Sequence, residues 1–131
     1  MHFDWPVQVY YEDTDAGGVV YHSQYLNFME RARTEFLRHV GFMQTSLKDE
    51  LGILFVVRDI QIRFRRPAKF DDMLNVTTKL INVGRSLLAF EQDIYRGDEH
   101  LIAAKVEVVC IGSESFKPMS IPQVMMTKLK P

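Results

Sequence analysis

Residues 7–40 constrain this chain most: an acidic, glycine-bearing turn runs directly into a long amphipathic helix pattern. Val7-Gln8-Val9-Tyr10-Tyr11 alternates as a strand does, and Pro6 is expected to limit that strand at its start. Glu12-Asp13-Thr14-Asp15-Ala16-Gly17-Gly18 follows, a turn in which the glycines supply conformations other residues resist. From Gln24, apolar residues recur at three- and four-residue spacing: Tyr25, Phe28, Met29, Ala32, Phe36 and Val40. Ser23 is the expected cap and Gly41 the expected stop. This order places carboxylates beside a helix start, where N–H groups lack intrahelical partners and the dipole favours negative charge.

The rest of the chain must supply a sheet to cover that helix. A short helix is expected near residues 44–50. Four long strands follow, near residues 54–64, 73–83, 87–95 and 101–111, with turns at Gly84 and Gly97. In the first of them Leu54, Val56, Ile60, Ile62 and Phe64 share one parity, with Arg58 as a charged interruption. The last is apolar at both parities over residues 102–109 apart from Lys105 and Glu107, which calls for a covering layer that a second subunit would supply. A further helical turn is expected after Pro122. The result is an α+β domain with one helix on an antiparallel sheet.

Composition narrows the function classes. At 131 residues the chain fits one domain, and 47% hydrophobic residues are ample for a core. A formal charge of −1 argues against nucleic acid or a membrane surface as the partner. No apolar run is long enough to span a bilayer and no secretory leader is evident, so a cytoplasmic location is expected. The single cysteine, Cys110, lies in an apolar strand pattern and is expected to be a buried filler. No metal-ligand spacing, nucleophile elbow or nucleotide fingerprint occurs, so no metal and no cofactor is expected.

Several polar residues admit two readings. Asp13 and Asp15 could be ordinary Asx-turn formers, or a base or nucleophile beside the helix start. His22 could be an idle helix-start residue, or a group that holds water or a proton near neutral pH. Glu30 and Arg33 are three apart and could pair on the surface, or Arg33 could meet a buried carboxylate at a dimer seam. Arg63, Arg65 and Arg66 form either an exposed basic patch or a contact for phosphates.

The run from Tyr11 to Tyr25, with Glu30-Arg31-Ala32-Arg33-Thr34-Glu35, Arg38, Gly41, Val56-Val57-Arg58, Arg65-Arg66-Pro67-Ala68 and Asp71-Asp72, resembles the 4-hydroxybenzoyl-CoA thioesterase family of hotdog folds. The likeness is greatest to the Tol-Pal-associated acyl-CoA thioesterases of Gram-negative bacteria and covers nearly the whole chain. It implies a long helix wrapped by a curved antiparallel sheet of about five strands. It also implies dimers with active sites at the subunit interface, and tetramers or hexamers built from them. Asp15 falls on the family's catalytic aspartate, and His22 on the helix-start position whose N–H faces the thioester carbonyl. Gly17, Gly18, Tyr21 and Tyr25 fall on the substrate side, and the Tyr21-His22 pair departs from the aromatic-acyl enzymes, which implies an aliphatic acyl-CoA. The arginines at 63, 65 and 66 then become candidates for the CoA phosphates. The alternatives are a dehydratase or acyl-carrier-protein hydrolase on the same fold, and a non-catalytic module binding acyl-CoA or an acyl-carrier protein.

Overall fold

The computed structural model describes residues 1–131. Five strands, β1 (His2–Gln8), β2 (Ile53–Phe64), β3 (Met73–Val83), β4 (Leu87–Arg96) and β5 (Glu99–Gly112), form one antiparallel sheet in the order β1-β3-β4-β5-β2. The sheet curves around one long helix, α1 (Gln24–Val40); a short helix, α2 (Gln44–Leu51), leads into β2, and a single turn, α3 (Gln123–Met126), closes the chain. This is the hotdog arrangement.

The helix ends where the sequence places them. Gly41 takes φ +108° and its N–H reaches back to the Arg38 carbonyl at 3.0 Å, a left-handed stop that residues with a Cβ resist. Ser23 occupies the cap position, but its side chain makes no capping bond. The apolar face of α1 buries Tyr25, Phe28, Met29, Ala32, Phe36 and Leu37 against the concave side of the sheet. Each large side chain buried there contributes about 1.5–3 kcal/mol.

The core is divided. Tyr25, Phe28 and Met29 pack with Val76, Ile94 and Ile102; Phe36 and Leu37 pack with Leu88, Phe90 and Val106. Between these clusters lies a polar layer. Arg33 Nη1 donates to Gln92 Oε1 at 2.9 Å, and Gln92 Nε2 donates to the Met29 carbonyl at 3.0 Å and to Thr78 Oγ1 at 2.9 Å. Arg33 is therefore a core residue, only 9% exposed, and makes no ion pair with Glu30. Of the two readings of Arg33, the surface pair with Glu30 is absent.

Two further expectations are corrected. The first strand is His2–Gln8 and contains Pro6, while Tyr11–Asp13 form a 3₁₀ turn. Pro6 is tolerated because β1 is an edge strand, paired to β3 alone. Arg58 is an extra residue in a bulge between Val57 and Asp59, so the parity of β2 inverts there. Ile53, Phe55, Ile60 and Ile62 pack on the concave side, whereas Leu54 and Val56 lie on the convex one. Toward the helix β5 is apolar throughout, and Ala103 and Val109 carry apolar character to the other side as well. Its other face carries Lys105, opposite Glu91, which in turn stands opposite Lys79. Such cross-strand charge pairs suit water. Cys110 is fully buried, and burial pushes its thiol above the ordinary range, as expected of a filler.

Candidate active site

Two carboxylates two residues apart have opposite fates. Asp13 is 5% exposed. Its Oδ2 accepts the Tyr10 N–H at 2.8 Å, its Oδ1 accepts from Gln24 Nε2 at 2.8 Å, and its carbonyl accepts the Tyr21 N–H at 2.9 Å. One side chain thus fastens the end of the first strand segment to the first residue of α1. Asp15 stands exposed at the tip of the next turn. Its Oδ1 accepts the Gly17 N–H at 2.8 Å, and its backbone N–H donates to the Val19 carbonyl at 2.9 Å. Oδ2 has no partner within the chain. Gly18 takes φ +79° to close the tip, and a Cβ on Gly17 would come within 3.2 Å of Asp15 Oδ1.

A second segment backs this turn. Thr14 bridges Val20, Val19 bridges Lys69, and the Val20 N–H donates to the Ala68 carbonyl at 2.9 Å. Ala68 in turn donates its N–H to the Tyr25 hydroxyl at 3.0 Å. Tyr25 is 3% exposed, and burial raises its hydroxyl pKa above the ordinary value.

A cavity of about 290 Å³ opens where these pieces meet, lined by Val20, His22, Tyr25, Phe64, Arg65, Arg66 and Pro67. The ring of exposed His22 lies 4.4 Å from that of Tyr21. The backbone N–H groups of His22 and Ser23 make no hydrogen bond within the chain and lie just before the start of α1. Donors of this kind can receive an oxygen that gains negative charge.

The predicted residues are thus partly united. His22, Tyr25, Arg65 and Arg66 border one cavity; Asp15, Gly17 and Gly18 form the turn that shares Val20 with it; the Tyr21 ring lies tilted against that of His22. Arg63 stands apart, in a groove on the convex face with Arg65, Glu91, Asp93 and Lys105. Arg66 is held by Glu99 at 3.3 Å. The three arginines do not form a single basic patch. Sequence reasoning passed over Gln24 and Arg96, which position the turn and its backing; neither lies in a recognisable spacing.

Residues 9–129 match the family model described as the thioesterase-like superfamily. The chain is 45% identical over 129 residues to the acyl-CoA thioester hydrolase YbgC of Escherichia coli O6:H1, covering 98% of this chain and 96% of that one. It is 46% identical over 121 residues to the acyl-CoA thioesterase YbgC of Haemophilus influenzae, covering 92% and 89%. The crystal structure of a "Probable Thioesterase from Bartonella henselae" superposes with a TM-score of 0.89 at 41% identity, over 93% of this chain and 100% of that one. Fold, turn and full-length match agree: the chain belongs to the thioesterase-like superfamily, as a hotdog-fold hydrolase of the acyl-CoA thioesterase kind.

Proposed function

We propose that the protein hydrolyses the thioester of an aliphatic acyl-CoA, with Asp15 as the reacting carboxylate. The observation that carries this reading is the exposed Asp15 side chain, fixed through Oδ1 by Gly17 and open at Oδ2, on a turn that adjoins the His22-lined cavity. Thioester cleavage needs an activated water or a protein nucleophile, and a place for the carbonyl oxygen's charge. Asp15 Oδ2 can take a proton from water or attack the carbonyl itself. The N–H groups of His22 and Ser23 supply the second requirement. The thiolate leaves readily, so little acid assistance is needed. The His22 imidazole at the cavity wall orients the water or relays its proton. Gly17 and Gly18 let the substrate approach the backbone, and Tyr21 and Tyr25 wall the acyl side.

The working form in this reading is a dimer or a multiple of it. β2 is a sheet edge with Val56, Val57 and Phe64 exposed along it, a surface suited to a second copy of the chain. Light scattering should return an even multiple of the 15.3 kDa chain mass.

The deciding experiment is hydrolysis of a panel of acyl-CoA and acyl-carrier-protein thioesters by the wild-type protein and by Asp15→Asn. Turnover of aliphatic acyl-CoA that falls about 10²–10⁴-fold in the variant, with the fold intact, is the expected result. Binding without turnover in the wild-type protein would make it an acyl-binding module instead.

A further inference from the structure

The convex face of the sheet holds a groove of about 420 Å³ that the hydrolytic reading leaves unused, save for Arg65 at its rim. Ala103 on β5 forms part of its floor. Arg63 on β2 and Asp93 on β4 are the cross-strand neighbours of Ala103, one on each side. Arg65 extends the cationic wall and Glu91 the acidic one, while Lys105 stands beside Glu91 on β5. Neighbouring strands lie about 4.8 Å apart, so the Arg63 and Asp93 backbones face each other at about 10 Å across a single methyl group. Neither arginine forms an ion pair with Glu91 or Asp93, and neither does Lys105. A second copy paired along the β2 edge would bond through backbone groups in the plane of the sheet, whereas these side chains stand out of that plane. Asp93 is held ready. Its Oδ1 is hydrogen-bonded to His100 Nε2 at 2.7 Å, and the His100 ring stacks on Tyr95 at 4.7 Å with 16° between the planes. The Asp93 side chain is only 20% exposed, and Oδ2 is left for another donor.

Two walls of opposite sign that do not close on each other suit a ligand with a cation at one end and an anion at the other. We propose that this groove binds a small phosphorylated primary amine, its ammonium on Asp93 and Glu91 and its phosphate between Arg63 and Arg65. An ammonium brings three N–H donors, and Asp93 Oδ2 accepts one without giving up its bond to His100. The guanidinium forks match phosphate oxygens. Charge selects phosphate over carboxylate: the groove sets three cations against two carboxylates, one positive charge in excess. A phosphate monoester carries nearly two negative charges near neutrality, so with its ammonium the ligand supplies one in return. A two-carbon spacer, as in phosphoethanolamine, keeps the two ends on opposite sides of Ala103. The same chemistry has two sources, a free monoester or the headgroup of a lipid, in which the phosphate is a diester with a single charge. The site stands apart from the thioesterase reading, with which it shares Arg65 alone.

The test is calorimetric titration of the wild-type protein with phosphoethanolamine, ethyl phosphate and ethanolamine, at about 20 mM salt so that exposed charges are little screened. Phosphoethanolamine should bind one per chain, about 5- to 10-fold more tightly than ethyl phosphate, which lacks the ammonium, with ethanolamine weakest. Asp93→Asn should bring phosphoethanolamine down to the affinity of ethyl phosphate, and Arg63→Gln should weaken both phosphates alike. Ala103→Leu fills the floor while leaving every charge in place, and should abolish binding of both. The comparison of the three ligands on the wild-type chain needs no variant to fold. Asp15→Asn should bind phosphoethanolamine as the wild type does, so failure of the hydrolytic reading and failure of this one are told apart. Glycerophosphoethanolamine, the soluble diester, assigns the source: affinity equal to that of the monoester points to a lipid headgroup, and weaker binding points to the free monoester. Equal affinity for phosphoethanolamine and ethyl phosphate would overturn the proposal, since the groove would then take anions alone. So would phosphoethanolamine binding that Asp93→Asn and Ala103→Leu leave unchanged, or no binding at millimolar ligand.

Discussion

Arg96 Nη1 donates to Asp72 Oδ2 at 2.6 Å, and this bond ties the end of β4 to the segment that backs the Asp15 turn. The same Asp72 oxygen accepts the Lys69 N–H at 2.8 Å, and the Asp72 carbonyl accepts the Val9 N–H at 2.9 Å. Arg96 also reaches the Pro67 carbonyl at 3.3 Å and Glu99 at 3.1 Å. Residues 67–72 are thus clasped from the sheet side while they hold Val19 and Val20 on the other. In the proposed hydrolysis Arg96 is a positioning residue, one step removed from the reacting atoms. Arg96→Ala should lower kcat about 10- to 100-fold through misplacement of Asp15, with KM for acyl-CoA changed little. Arg96→Lys should recover part of the loss, and added guanidinium ion should partly rescue Arg96→Ala. A drop in thermal stability with kcat unchanged would leave the clasp a purely structural feature.

Asp13 predicts the reverse pattern. It is buried and accepts two hydrogen bonds, so an amide in its place would set one N–H against another. Asp13→Asn should cost about 1–3 kcal/mol of stability, read as a lower urea midpoint with unchanged slope. Turnover per folded molecule should stay within a few-fold of wild type. Loss of turnover with stability unchanged would move Asp13 into the chemistry.

The sequence carried α1 almost to the residue, because an amphipathic period and a left-handed glycine are both local signals. The four later strands and their turns were legible for the same reason. Period-two reading failed in β2, since one inserted residue at Arg58 exchanges the faces and alternation cannot register an insertion. Pro6 misled because edge position, which excuses a proline, is a property of the whole sheet. At the site, Asp15 and His22 stood out through the motif, whereas Arg33 was open between a surface pair with Glu30 and a buried place at a dimer seam. Its burial follows from the partner at Gln92, 59 positions away. Polar layers inside a core have no periodicity of their own.

Alkaline pH should expose the role of Tyr25. Burial, partly opposed by the Ala68 N–H and Arg96, raises its pKa above the ordinary 10.0. The folded state therefore holds the phenolic proton more tightly than the unfolded chain does. The stability this gives is complete below pH 10 and is lost as pH rises from there through the folded-state value. Tyr25→Phe has no such proton and leaves the buried Ala68 N–H without its acceptor. The variant should be less stable than wild type near neutrality, and the gap in melting temperature should narrow above pH 10. A constant gap from pH 8 to pH 11 would show that Tyr25 titrates alike in both states.

The arginines divide by their surroundings, and salt should separate them. Arg66 is paired with Glu99, and Arg63 shares its groove with Glu91 and Asp93, so each has acidic company within the chain. Arg65 alone borders both that groove and the His22 cavity. If the polyanionic CoA tail lies along this rim, Arg65 should carry the largest share of its attraction. Arg65→Ala should then raise KM for acyl-CoA about three- to tenfold with kcat nearly flat, as expected when a contact is the same in ground and transition states. Arg63→Ala and Arg66→Ala should have smaller effects, the latter also freeing Glu99 to repel phosphate. Screening acts over about 8 Å at physiological ionic strength, so raising salt from about 50 to 300 mM should increase KM for acyl-CoA. The response should shrink in Arg65→Ala and nearly vanish with a truncated thioester that lacks the nucleotide. Equal salt responses for acyl-CoA and the truncated thioester would leave all three arginines as ordinary surface charge.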